Sequence, residues 1–252
     1  MRKLILFGLL FSPLALAQNI EVATNSLMRL PGNSVVMNIE HLSVADYGTL
    51  LVPANVNELT IGQLSLGHEA RIAIVPSAQP LSVSVQQAEL DSGSQILARG
   101  APGTYEIPAV PARSLNLQLK VLKAGELSID ARGGAGTPGY VGLDGANGQA
   151  PGCLWGEGGR GYNGDNGGDG HNGSAGAIVR LQLPADFPAE AIKVRVDGGA
   201  GGLAGAAGKP GKGGESKGCL IYQADGGKPG RPGLAGQPGQ PGLPGSLVIQ
   251  HL

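Results

Sequence analysis

The chain has 252 residues, of which 45 are glycine and only 4% are aromatic, and its formal net charge is -1. So small a net charge gives no bulk attraction to nucleic acid or to an anionic membrane, which excludes both from the expected partners. Because 36 of the 45 glycines lie at or after Gly133, the second half has too few large apolar residues for a conventional hydrophobic core.

The first 17 residues have the pattern of a secretion signal. Arg2 and Lys3 precede an apolar run from Leu4 to Phe11, and Ala15-Leu16-Ala17 is a small-residue cleavage site before Gln18. The apolar run is too short to span a membrane, and no later segment is long and apolar enough to do so. We therefore expect a bacterial protein that is secreted, periplasmic or at the cell surface.

Residues 18–126 are predicted to form a β-rich domain, because short segments alternate between apolar and polar residues and are separated by Gly, Pro, Asn and Asp. The alternating segments are Val35–Ile39, Leu59–Leu66, Arg71–Val75, Leu81–Val85 and Leu115–Val121, with Leu127–Ala131 following at the start of the next region. An all-β sandwich is the first interpretation. A short β-solenoid is the alternative, because similar stretches begin near Gly67, Gly93 and Gly125.

Residues 127–252 contain four runs with glycine at every third position. The runs span residues 133–148, 158–176, 199–214 and 227–245. A three-residue period without a side chain at the repeat position is typical of extended left-handed helices that pack where only glycine fits. The order strand, run, cysteine loop, run, strand occurs twice, over 127–183 and 192–251, which indicates an internal duplication.

This order predicts an antiparallel bundle of four polyglycine-II helices on a small β-sheet base, with strands at 127–131, 178–183, 192–197 and 247–250. The cysteine loops would then meet at the far end of the bundle. Cys153 and Cys219 occupy equivalent places in the two copies, and an exported chain favours oxidised cysteines, so we expect one intrachain disulfide. Proline-containing triplets in the fourth run favour the competing interpretation, a collagen-like trimer.

On these glycine runs the region from 127 to 252 resembles the polyglycine-II bundles of snow-flea antifreeze protein and of the receptor-binding adhesins of some phage tail fibres. It is also similar to a loose group of secreted bacterial collagen-like proteins with two glycine-rich halves. The resemblance implies a fold, and it implies little about activity.

No catalytic residue, metal ligand or cofactor site is predicted. The stretch from Asp165 to Asn172 has the glycine and aspartate of calcium-binding repeats but a period of three, so its polar side chains are expected to be solvated. The four histidines have no metal-ligand spacing, and neither a nucleophile elbow nor a phosphate-binding loop occurs.

Apolar and aromatic residues beside the two cysteines form a candidate contact tip. They are Leu154, Trp155, Leu220, Ile221 and Tyr222. One interpretation makes them a small apolar plug that closes the end of the bundle. The other makes them a recognition surface, because loops on a rigid support are common sites of binding.

Together these features predict an exported, non-enzymatic structural or adhesive protein that projects a rigid glycine-rich bundle. Its expected partners are further copies of itself or a surface receptor, and Leu247–Ile249, if exposed, could pair with a neighbouring sheet edge. Three alternatives stay open: an ice-binding protein, a collagen-like trimer and a carbohydrate-binding module.

Overall fold

The computed structural model describes residues 18–154 and 156–252, so the predicted signal sequence and Trp155 lie outside it. In these residues nearly all regular structure is β-strand, with one 3-10 turn at Ala189–Ala191. In chain order the strands are β1 Asn19–Val22, β2 Leu27–Arg29, β3 Val36–Val44, β4 Thr49–Val52, β5 Glu58–Leu66, β6 Arg71–Ile74, β7 Leu81–Leu90, β8 Gln95–Leu97, β9 Leu115–Ala124, β10 Leu127–Asp130, β11 Ile178–Leu183, β12 Ile192–Arg195, β13 Lys217–Gly218, β14 Gln223–Ala224 and β15 Ser246–His251.

Two large parallel sheets hold all of these strands except β13 and β14. Sheet A has the order β1-β3-β5-β7-β9-β11-β15, and sheet B has the order β12-β10-β8-β6-β4-β2. From β1 to β12 the chain therefore alternates between the sheets, and each coil adds one strand to A and one to B. This strand order is that of a β-solenoid, in which every coil contacts only the coils before and after it.

The predicted fold class, a sandwich followed by a four-helix bundle on a small sheet, is therefore wrong. All pairs in the two large sheets are parallel, and β10, β11, β12 and β15 extend these sheets without forming a separate base. Apolar-polar alternation identifies a half-buried strand, but it does not distinguish parallel from antiparallel partners. The sheets also continue through residue 126, where the sequence suggested a boundary between regions.

A shift in the alternation of inward and outward residues divides sheet A into two halves. In β5, Leu59 and Ile61 point into the core, two outward residues follow at Gly62 and Gln63, and the inward pattern resumes at Leu64. The same shift occurs in β3, β7 and β9, and these residues align between strands. We call the positions aligned with 36–39 the first half of sheet A and those aligned with 41–44 the second half.

A four-residue turn recurs where sheet A passes to sheet B. Its third residue has a positive φ in four successive coils: Asn25 at 53°, Tyr47 at 57°, Glu69 at 50° and Gly93 at 75°. These residues form their own ladder, since the N–H of Tyr47, for example, donates to His68 O at 2.9 Å in the next coil. The repeated turn keeps the coils in register at this corner.

Arg113 is fully buried where sheet B returns to sheet A, and sequence reasoning did not single it out. Its guanidinium donates to Val56 O at 2.6 Å, Gln79 O at 2.8 Å and Asn57 Oδ1 at 2.9 Å, so it joins the turns of neighbouring coils. Burial lowers the pKa of Arg113 below its ordinary value, because the charged form loses its hydration.

The connections from sheet B to sheet A differ greatly in length, and all the glycine runs lie in them. Residues 98–114 connect β8 to β9, residues 131–177 connect β10 to β11, and residues 196–245 connect β12 to β15. We call the four runs G1 (133–148), G2 (158–176), G3 (199–214) and G4 (227–245). They contain no α-helix and no β-strand, and the two predicted sequence copies are two successive coils with long hairpins inserted at the same corner.

Backbone hydrogen bonds join the glycine segments at every third residue. Gly136 N–H donates to Ala200 O at 2.8 Å between G1 and G3, and Gly161 N–H donates to Lys228 O at 2.9 Å between G2 and G4. These two pairs run parallel, like the strands of the coils from which they emerge. The pairs G1–G2, G2–G3 and G3–G4 run antiparallel and are joined by bonds of the same spacing.

We predict that glycines inside these segments do not accept a side chain. A Cβ atom on Gly164 would lie 2.2 Å from Gly208 O, one on Gly205 would lie 1.9 Å from Tyr140 O, and one on Gly236 would lie 2.0 Å from Gly168 O. Separating the backbones would break two or three hydrogen bonds, so each Gly→Ala change should cost about 2–3 kcal/mol of unfolding free energy.

Gly125→Ala and Gly218→Ala are matched controls, because no atom lies within 4 Å of the added Cβ at either position. Thermal unfolding should show lower melting temperatures for the three changes inside the segments and little change for the controls. Equal melting temperatures in both groups would mean that the segments are not packed.

Candidate contact site at the end of the glycine hairpins

The ends of the two glycine hairpins are joined covalently. The disulfide predicted between Cys153 and Cys219 is present, with a Cα–Cα distance of 5.6 Å, and it links the G1–G2 loop to the G3–G4 loop. The second loop is a small antiparallel hairpin of β13 and β14, closed by Cys219 N–H donating to Tyr222 O at 2.8 Å. The hydroxyl of Tyr222 donates to the carbonyl of Cys153, which is a second link between the loops.

The apolar side chains at this end are exposed to solvent. The exposed fraction is 87% for Leu154, 103% for Leu220 and 93% for Ile221, and Tyr222 is half exposed. A plug would bury these residues against the ends of the segments. Their exposure therefore argues against the plug and for a contact surface, while the predicted tip residue Trp155 lies outside the described residues.

Charged residues of both signs lie beside the apolar tip. A shallow depression beside it is lined by Tyr222 and by the charged residues Glu157, Arg160, Asp225 and Lys228. An apolar centre with a mixed polar rim is the arrangement found in many protein contact surfaces.

A ladder of Asn and Asp side chains fixes the segments that support the tip. In G2, the Oδ1 atoms accept hydrogen bonds from backbone N–H groups of G4 at 2.6–2.8 Å; the pairs are Asn163 with Arg231, Asn166 with Leu234, Asp169 with Gln237 and Asn172 with Gln240. Asp144 and Asn147 of G1 do the same for Lys209 and Lys212 of G3. Asn166, Asp169 and Asn172 belong to the stretch that was expected to be solvated; they are exposed to solvent, and they also bind backbone N–H groups, a role that their spacing of three residues signalled.

Proline complements this ladder in G4. Pro232, Pro238 and Pro241 follow Arg231, Gln237 and Gln240, whose N–H groups are bound by the ladder. The glycine of each triplet donates to G3, as Gly230 does to Gly211 O at 2.9 Å. Because proline has no N–H, these triplets have no remaining backbone donor. The collagen-like sequence of G4 thus fits backbone pairing within one chain.

A polar groove lies on the outer face of sheet A, in its first half. It is lined by Glu58, Ser82, Ser84, Asn116, Gln118, Arg180, Gln182 and Gln250 with the edges of neighbouring apolar residues. These side chains already pair along the sheet, as Ser84 Oγ does with Gln118 Oε1 at 3.2 Å and Gln182 Nε2 with Gln250 Oε1 at 3.2 Å. The groove can offer amide and hydroxyl groups to a polar ligand.

The histidines are not brought together. His68 Nδ1 lies 3.0 Å from Ser92 Oγ and its ring meets the edge of Tyr47, whereas His251 lies in the last strand and His171 in G2. Among residues 18–154 and 156–252, no group of three or more His, Cys, Asp or Glu residues is arranged to hold a metal ion. In the same part of the chain, no helix has the length and apolar character that a membrane span needs.

Comparison with models of protein families, with curated proteins and with solved structures finds no match to this chain. The resemblance to polyglycine-II and collagen-like proteins therefore stays a prediction from the glycine pattern.

We predict that the disulfide stabilises the folded state and holds the tip together. Its two cysteines are 66 residues apart, and the entropy of closing such a loop in the unfolded chain gives a stabilisation of about 4 kcal/mol. A reducing agent should lower the melting temperature of the native protein and should not affect the double variant Cys153→Ser/Cys219→Ser. Reduction should also make residues 217–224 more sensitive to limited proteolysis. Identical melting temperatures of the oxidised and reduced native protein would contradict the prediction.

Proposed function

We propose that the protein is an exported, non-enzymatic structural or adhesive protein that makes contact through its disulfide-linked tip. The observation that carries the proposal is the exposure of Leu154, Leu220 and Ile221 at the end of the glycine hairpins. Exposed apolar clusters with polar surroundings on a soluble surface are typical of interaction sites.

The support beneath the tip fits this role. G1 has 16 residues, and an extended backbone at roughly 3.1 Å per residue places the tip about 50 Å from the sheets. Backbone bonds and the Asn and Asp ladder hold the four segments along this length. A tip on a rigid support loses little conformational entropy when it binds, which favours affinity.

The test compares exposed apolar residues that lie in different places. The double variant Leu220→Asp/Ile221→Asp changes the tip, whereas Leu234→Asp changes G4, where the side chain is 72% exposed. Both variants should keep the native melting temperature, because an exposed leucine contributes little to stability.

Adhesion is measured with protein-coated fluorescent beads on the producing cells and on their extracellular matrix. We expect the tip variant to lose roughly tenfold in retained beads and the Leu234→Asp variant to retain native adhesion. Normal adhesion by a stably folded tip variant would refute contact through the tip. A large fall in its melting temperature would instead support the plug.

The alternative functions are less well supported. An ice-binding face needs a flat array of small residues, whereas Tyr140, Leu143 and Leu203 are bulky and exposed along the segments. The polar groove on sheet A favours a carbohydrate-binding module. However, no aromatic side chain lines that groove for stacking against a sugar. Thermal hysteresis and a glycan array on the whole exported chain test these alternatives.

A further inference from the structure

The two ends of the solenoid have open backbone edges among the described strands. At the C-terminal end, β11 is the one described strand that pairs with β15, and Ser246 and Leu252 donate their N–H groups toward β11 at 3.2 and 2.8 Å. Because successive residues of a strand direct their amides to opposite sides, the N–H groups of Leu247, Ile249 and His251 point to the free edge. In sheet B, the free edge at this end belongs to β12.

The N-terminal end is open in the same parts of the two sheets. β1 pairs with β3 only from His41 to Val44, so the first half of β3, Val36–Ile39, has no described strand on its outer side. The predicted mature chain begins at Gln18, whose carbonyl pairs with Glu40 N–H just beyond this open half. In sheet B the free edge is β2.

The ends are stepped in complementary ways. At the C-terminal end, the first half of sheet A extends one strand beyond sheet B, since no described strand of sheet B follows β12 beside β15. At the N-terminal end the order is reversed. Sheet B begins with β2, whereas the first half of sheet A begins with β3, one strand later. One copy stacked on another can therefore pair β15 with the first half of β3 and β12 with β2 at the same time. In the second half of sheet A, residues 184–191 lie between the two copies.

The side chains also match in this register. Extending the observed pairing of each sheet by one strand aligns Leu247 with Val35, Val248 with Val36, Ile249 with Met37, and Gln250 with Asn38. Leu247, Val248 and Ile249 are each more than a third exposed, and Val35 and Val36 are about half exposed. Gln250 already continues an amide ladder from Gln182, which Asn38 would extend. In sheet B, Val194 meets Met28 in the same way.

The charges at the ends do not add to this match. In the second half of sheet A, Lys123 is already paired with Glu89, and the acidic Asp186 and Glu190 lie in the segment between the two copies. One pair is unfavourable, because Arg195 would align with Arg29; both are solvent-exposed, and repulsion between exposed charges is weak.

We propose that the protein assembles head to tail, with the C-terminal edge of one copy pairing in parallel with the N-terminal edge of the next. Each junction adds backbone hydrogen bonds in both sheets and covers apolar residues at the open ends of the core. Because the copies stack along the direction in which the coils follow one another, this heterologous series stays open, and the product is a filament in which every copy presents a glycine hairpin tip. The assembly uses different residues from the tip and does not depend on the proposed adhesion.

The test introduces opposite charges on the two sides of the proposed junction. It uses the exported protein, whose N-terminus is confirmed by mass spectrometry. Val248→Lys and Val36→Glu each place a charge opposite an apolar residue, and charged edge residues block strand addition. In the double variant, the introduced lysine of one copy lies opposite the introduced glutamate of the next, which restores a favourable pair. Val121→Lys is the matched control, because this exposed valine lies in the second half of β9, outside the paired edges.

Sedimentation over a range of concentrations should show native protein in multiples of the chain mass. Each single variant should need roughly tenfold more protein to assemble, the double variant should recover, and Val121→Lys and the tip variant should behave as native. Circular dichroism confirms that each variant is folded. Three results would overturn the proposal: a native protein that stays monomeric, single variants that assemble normally, or a dimer disrupted by Val248→Lys but not by Val36→Glu.

Discussion

The strands of the two large sheets find their backbone hydrogen-bond partners in the coils on either side of them. This stacking produces parallel pairs with an in-register core, as Leu59, Val83 and Leu117 align across three strands. In the glycine segments the same stacking continues without a hydrophobic core. Gly136 pairs with Ala200 of the next coil in the same direction as β10 pairs with β12. The glycine hairpins are therefore extensions of the solenoid coils.

The demand for close backbone approach explains the composition of these extensions. Without large apolar side chains, stability must come from hydrogen bonds between neighbouring backbones, and a Cβ atom at Gly139 would lie only 1.9 Å from Gly168 O. The side-chain amides and carboxylates of G1 and G2 bind further N–H groups of G3 and G4, and proline removes others. This arrangement holds the tip through backbone geometry and leaves the apolar side chains at the tip free for contact.

Coil repetition and the disulfide both had signals in the sequence that could be recognised locally. The stretches near Gly67, Gly93 and Gly125 are neighbours in sheet B, as β6, β8 and β10, and their likeness was the correct signal of coil repetition. Their uneven spacing concealed it, because residues 98–114 are inserted into one coil. The disulfide was predictable because both cysteines occupy the same place in successive coils.

Other features had no local signal or had one that was misinterpreted. Parallel pairing is a long-range property, since β9 and β11 are separated by more than 50 residues of chain. Arg113 gives no periodic pattern, and its role depends on carbonyl groups that two different connections, 53–57 and 75–80, bring together. The Asn and Asp ladder did have a period of three, but its partners became visible only with the order of the segments.

Hydrogen exchange of the backbone amides tests the central claim most directly. If the glycine segments continue the stacking of the solenoid, the amides of Gly139, Gly142, Gly167 and Gly170 should be protected to a degree comparable with β10 and β11, because each donates a bond of 2.8–2.9 Å to the next coil. Protection should recur every third residue along G1. Exchange at the rate of an unfolded chain throughout residues 133–176, with protected sheets, would contradict the account.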